Sequence, residues 1–168
     1  PSGLAFISGY VEDAAGDNTV QYVYGGDLLG NVWRFDLNDA STSNWKVKKL
    51  AALADASGVA QSVTTEPELA SVVLAGFPRR FVYVGTGQYL GDSDIPGASG
   101  ANSHAAQRQT MYALVDDSTN PSGSTAVITS LRSSLQQQTL SGGGSTRTVS
   151  GNSVDYSTKK GWYIDLPD

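Results

Sequence analysis

An all-β chain is what the sequence predicts, on three observations. Charged residues make up only 16% of the 168 residues, while 19 are glycine. That composition suits pleated strands joined by many turns better than a helical bundle. Short apolar and aromatic runs recur at regular intervals between clusters of Gly, Asn, Asp, Ser and Pro. The chain also repeats weakly. YVYGGDLLGN (Tyr22–Asn31) aligns with FVYVGTGQYLGD (Phe81–Asp92), and each copy is followed by a second aromatic run ending in Asp, VWRFDL and MYALVD.

In chain order, strands are predicted at Leu4–Val11, Val20–Gly25, Asn31–Leu37, Trp45–Leu50, Ser71–Ala75, Arg80–Gly85, Thr110–Asp116 and Gly161–Leu166. VWRFDL alternates, with Val32, Arg34 and Asp36 on one face and Trp33, Phe35 and Leu37 on the other. FVYVG and TMYALVDD are continuously apolar, as expected of inner strands covered on both faces. Ala126–Leu140 has apolar residues at 127, 128, 131 and 135, a spacing a helix also permits, but its Ser and Thr content predicts a strand. Ser93–Gln107 and Leu140–Ser153 are expected to be long, polar, mobile loops.

A repeat of strand, glycine-rich corner, strand and outer strand is the pattern of a propeller blade. A closed ring takes about four to eight blades, which this length cannot supply. The prediction is therefore a partial β-propeller, one domain over 1–168 with about two to three four-stranded antiparallel blades. Its units would be 1–60, 61–140 and an incomplete 141–168. Open blade edges would invite dimerisation.

The net charge of −5 argues against nucleic acid or an anionic membrane surface as partner. The absence of cysteine removes disulfides, thiolate metal sites and a Cys nucleophile. No apolar run approaches the roughly 18 residues of a membrane span, and no signal peptide is visible. Because it begins at Pro1, the chain is expected to be a piece of something longer.

Candidate chemistry is thin. Gly25-Gly26-Asp27 and Gly30 suggest a phosphate cradle, but no helix follows and no lysine stands where such a loop needs one, so a strand hinge is the better reading. His104 is the lone histidine, in a polar loop without the neighbours a catalytic triad requires. Asp92/Asp94, Asp116/Asp117 and Glu66/Glu68 are carboxylate pairs with no sign of facing each other across a cleft. Trp33, Trp45, Trp162, Tyr83, Tyr89, Tyr112 and Tyr163 are expected to pack between blades rather than form a sugar platform. Lys46 and Lys48 share one face of an outer strand, where they would discourage edge-to-edge pairing.

Five segments in order, YVYGGDLLGNVWRFDL, FVYVGTGQYLG, RQTMYALVDD, LRSSLQQQTL and KKGWYIDLP, resemble the C-terminal β-propeller of the PilC/PilY family of type IV pilus biogenesis factors and tip-associated adhesins. The resemblance implies a propeller distantly like those of quinoprotein dehydrogenases. It implies a non-enzymatic role in pilus extension and retraction, surface attachment and twitching motility. Partners would be pilus proteins such as minor pilins, or host and abiotic surfaces. The place would be the cell surface or pilus tip, after export, in association with an outer membrane. A fragment of a quinoprotein-like dehydrogenase and a carbohydrate-binding propeller are the alternatives; the lack of a vicinal cysteine pair counts against the first.

The resemblance also implies an EF-hand-like calcium loop at Glu12–Gln21. Its side-chain positions fall on Asp13, Ala15, Asp17 and Gln21, with Thr19 offering a backbone carbonyl. Ca²⁺ takes six to eight oxygens, and two carboxylates supply little charge. A turn built on Gly16-Asp17-Asn18 is the preferred reading.

Overall fold

The computed structural model describes residues 3–74, 76–117, 126–143 and 145–167. The first sheet holds β1 (Leu4–Tyr10), β2 (Tyr22–Asp27), β3 (Asn31–Asp36) and β4 (Lys46–Ala52), in that spatial order and antiparallel throughout. A tight turn joins β2 to β3, and longer loops make the other two connections of this up-and-down path. The second sheet contains β5 (Glu68–Leu74), β6 (Phe77–Gly85) and β7 (Thr110–Asp116). It is completed by β8 (Gln136–Gln138) and β11 (Gly161–Asp165), in the order β5-β6-β7-β11-β8. The two repeat copies are structurally equivalent: β2 and β6 are second in their sheets, β3 and β7 third.

Gly161–Asp165 does not start a third unit. It lies along β7, with Tyr163 opposite Tyr112 and Ile164 opposite Met111, and so fills the place that β4 fills in the first sheet. The row of N–H and C=O groups along β7 would otherwise be unpaired. β8 then adds in parallel on the far side, which makes this sheet five-stranded and mixed. Residues 140–153 contain a small hairpin, β9 (Leu140–Ser141) with β10 (Thr148–Val149).

The segment 126–140 divides its work. The N–H groups of Val127 and Ile128 donate to the carbonyls of Lys49 and Leu50 along β4. One helical turn, α1 (Leu131–Ser134), then leads into β8. Val127, Ile128, Leu131 and Leu135 all pack on the main core. Their helix-like spacing reflects a strap crossing between sheets rather than a continuous strand or helix.

That core lies between the sheets and includes Tyr24, Val32, Leu50, Val82, Tyr112 and Leu114. A smaller cluster covers the far face of the second sheet, where Phe81, Ala113 and Val115 pack with Tyr83, Tyr156 and Trp162. β6 and β7 are thus covered on both faces, as their apolar runs predict.

The glycine corner is a packing device. A Cβ on Gly26 would stand 2.1 Å from a methyl of Val63, and one on Gly30 would meet the carbonyls of Gln61 and Leu53 at 2.7 and 2.8 Å. Gly30 also has φ +79°, a turn conformation costly to other residues. Asp27 closes the same turn, accepting from the backbone N–H of Leu29 and Asn31, the Asn31 amide and the Trp33 indole.

Candidate functional site

The alternation of β3 is as predicted, but its polar face is the inward one. Val32 and Arg34 point between the sheets, while Trp33 and Phe35 lie on the opposite, half-covered face beside Leu29 and Val47. Trp33 is therefore not core, and Trp45 is 46% exposed, as is Tyr89 to a greater degree. Tyr112 and Tyr163 pack in the core between the sheets as expected, whereas Trp162 and Tyr83 pack on the outer face of the second sheet instead. Lys48 also corrects the sequence expectation. It lies opposite Arg34 in register, only 4% exposed, so it is a seam residue rather than a guard on an edge.

Arg34 at 3% exposure and Asp116 at 2% form the centre of a buried charge cluster. Arg34 Nη1 donates to both Asp116 carboxylate oxygens at 2.9 Å, and the Tyr24 hydroxyl donates to Oδ2 at 2.6 Å. Burial, reinforced by the Asp116 charge, pushes the Tyr24 phenol far above its ordinary range. Burial lowers the Lys48 ammonium, helped by Arg34 and opposed by Asp116. Arg80 completes the group, its guanidinium stacked 3.9 Å over the Tyr22 ring, with Nη2 3.8 Å from Asp116. Burial works against the Arg80 charge, but Tyr24 and Asp116 outweigh it and raise the pKa.

Arg80 also lines a cleft of about 450 Å³ between β1 and the ends of β6 and β7. Tyr10, Phe77 and Pro78 give it apolar walls; Glu12, Arg79 and Asp117 give it charge. Glu12 Oε1 accepts from Arg80 Nη1 at 2.8 Å.

A second polar network pins the other end of the seam. Arg132 forks onto Asp165 at 2.7 and 2.9 Å, and Thr110 donates to Asp165 at 2.8 Å. The Gln61 amide donates to Thr110 at 2.9 Å, and the Tyr112 hydroxyl lies 2.8 Å from Gln61 Oε1. Burial pushes Tyr112 up to about 12. The Arg132 hydrogen bond holds Asp165 below the usual carboxylate range.

The other sequence candidates are dispersed. Asp94 organises the 88–102 loop, accepting from Leu90 N–H at 2.7 Å, Gln88 at 2.9 Å and the Asn102 amide. Asp92 is exposed. Asp117 turns out towards Arg79 and Lys160, away from Asp116. Glu66 accepts from Ser8. His104 is exposed, and its N–H and C=O belong to local turns.

In the 12–21 loop, Asp13 Oδ1 accepts from Ala15 and Gly16 N–H at 3.2 and 2.9 Å. Asp17 Oδ1 accepts from the N–H and hydroxyl of Thr19. Gln21 is buried and accepts from Glu12 N–H at 2.8 Å. Ala15 offers no side-chain oxygen. Both carboxylates are thus engaged in closing turns, and among the described residues no group of three or more His, Cys, Asp or Glu is placed to hold a metal. This donor set does not fit the six to eight oxygens of Ca²⁺.

The PilY1 β-propeller domain matches residues 1–153. The chain belongs to the PilY1 β-propeller family. The type IV pilus biogenesis factor PilY1 of Pseudomonas aeruginosa PAO1 is 33% identical over 206 aligned residues, covering 99% of this chain and 16% of the relative. A PilY1 homologue of Xylella fastidiosa is 28% identical over 170 residues, covering 93% of this chain and 10% of the relative. The crystal structure of the P. aeruginosa PilY1 C-terminal domain superposes with TM-score 0.79 at 31% identity, covering 99% of this chain and 39% of that one. This chain therefore spans a small part of its PilY1 relatives and well under half of the solved domain.

Proposed function

We propose that the chain is a non-enzymatic interaction module of a type IV pilus biogenesis factor, working in pilus extension and retraction and in surface attachment. The observation that carries this reading is the PilY1 propeller match over 1–153, supported by the structural likeness to the PilY1 C-terminal domain. The interior charges are consistent with it, because Asp116 and Asp165 are each held by an arginine and a hydroxyl and belong to separate networks rather than facing each other as an acid–base pair. Display at the cell surface or pilus tip follows from the same reading, as do partners among pilus proteins.

The contact regions proposed are Ser93–Gln107 and Leu140–Ser153, since propeller loops vary and carry binding. In the full-length protein, replacing Ser93–Gln107 with a short Gly-Ser linker should reduce piliation or attachment at unchanged protein level. Normal piliation and attachment would remove that loop from the interaction surface.

A further inference from the structure

A sheet edge exposes a row of backbone N–H and C=O groups that can pair with another strand, and folded proteins cover, break or charge such edges. Among the described residues the two main sheets have four edges, and three are managed in these ways. The outer side of β4 receives the N–H groups of Val127 and Ile128 on the carbonyls of Lys49 and Leu50. β8 is only three residues long, and the Asn152 amide donates to its Gln137 carbonyl at 2.9 Å. β1 is broken by a register shift between Leu4 and Ile7, and its Ser8 hydroxyl is tied to Glu66 and the Pro67 carbonyl.

β5 is the exception. It is an edge strand of seven residues in unbroken register with β6. Among the described residues no hydrogen bond reaches the outer side of its backbone. Its sequence, ELASVVL, contains no Lys, Arg or Pro, and its one charge, Glu68, stands at the end. Val73 is 68% exposed, and Val72 and Phe77 beside it are exposed as well. A strand of this length and composition is a template for pairing.

We infer that β5 is a self-association edge, pairing antiparallel with β5 of a second copy about a two-fold axis. The strand suits its own copy. Full overlap of the seven residues sets Ser71 opposite Ser71, Val72 opposite Ala70, Val73 opposite Leu69 and Glu68 opposite Leu74. Aliphatic side chains thus meet each other and no like charges are opposed, which favours the ladder. The two-fold axis uses the same edge on both copies, so pairing closes at a dimer.

The test is the mass of the whole chain by sedimentation velocity over a concentration series, which should rise from monomer towards dimer. Ser71→Lys sets two ammonium groups opposite each other at the axis and should weaken the dimer about tenfold or more. Ser71 is exposed, so the folded monomer should tolerate the change. The chain has no cysteine, which permits a second, position-specific readout. With diamide as the thiol oxidant, Ser71→Cys should give a cross-linked dimer, while Ser57→Cys on another exposed loop should not. A chain that stays monomeric at every concentration overturns the proposal and leaves the edge to a strand of another protein. A dimer that survives Ser71→Lys and is not joined through Ser71→Cys overturns it too. Either failure leaves the pilus phenotype test untouched.

Discussion

The two sheets share a strand plan, but they treat their outward faces differently. The second sheet covers its outer face with its own chain: Tyr156 meets Phe81 edge-on at 5.7 Å, and Tyr83 lies 6.3 Å from Trp162. The first sheet leaves Trp33, Phe35 and Val47 along an open groove with Leu4 and Leu29. Their shared seam is also asymmetric, with a cation-rich cluster at one end and a fully bonded Arg132–Asp165–Thr110 network at the other. A repeat in sequence thus specifies strand order, while the burial of each strand depends on what the connecting segments later cover.

The largest expected effect comes from removing the carboxylate at the centre of the seam. Asp116→Asn leaves Arg34, Arg80 and Lys48 buried around a neutral group and should cost about 3–5 kcal/mol in chemical denaturation. A loss below 1 kcal/mol would mean the seam is wetter than its burial implies.

The outer faces are compared by truncating one aromatic on each. Phe81, 3% exposed, should lose about 3–5 kcal/mol on change to Ala. Phe35→Ala should lose less than half as much. Equal losses would show that the first sheet's groove is covered in solution.

The glycine corner gives a finer comparison. Gly26 and Gly85 align in the sequence repeat, but Gly26 shares the inward face of β2 with Tyr24, whereas Gly85 shares the outward face of β6 with Phe81 and Tyr83. A Cβ at Gly85 meets nothing nearer than Thr65 Oγ1 at 3.8 Å. Gly26→Ala should cost about 1–3 kcal/mol through overpacking against Val63. Gly85→Ala should stay within about 0.5 kcal/mol.

Acid should weaken the bonded end of the seam. Asp165 is held low by Arg132, and Asp27 is held low by Trp33 and Asn31 against the opposing effect of burial. Groups lowered on folding contribute stability that is complete above the unfolded carboxylate value of about 3.9 and is lost as pH falls through their folded values. Denaturation midpoints should therefore fall below about pH 4, and Asp165→Asn should flatten that fall.

The smallest effect concerns the 12–21 loop. Asp13→Ala removes two turn-closing acceptor bonds and should cost about 0.5–1.5 kcal/mol. Millimolar Ca²⁺ should leave the melting temperature of the unsubstituted chain unchanged, since an ion bound only to the native state would raise it. A rise would mean that further oxygens assemble around Asp13 and Asp17.

Much of this was legible in the sequence because it is local. Alternation and turn residues located every strand of the first sheet and β5, β6, β7 and β11 of the second, though not β8, which was expected within one strand over Ala126–Leu140. Gly30 and Asp27 marked the turn between β2 and β3, and ordered motifs pointed to the family. The cleft was not legible, for its parts are ordinary alone. Glu12 and Arg80 stand 68 residues apart, and Arg34 and Asp116 stand 82 apart. Alternation separates the two faces of β3, but it cannot say which face meets another sheet. Hydrophobicity alone would have turned Trp33 and Phe35 inward. The sequence by itself determined strands, turns, repeat and lineage, which depend on neighbours in the chain. Only the tertiary structure decided that Arg34 and Lys48 go inside, that β11 completes the second sheet, and that Glu12 rests on Arg80, because each depends on partners brought together by folding.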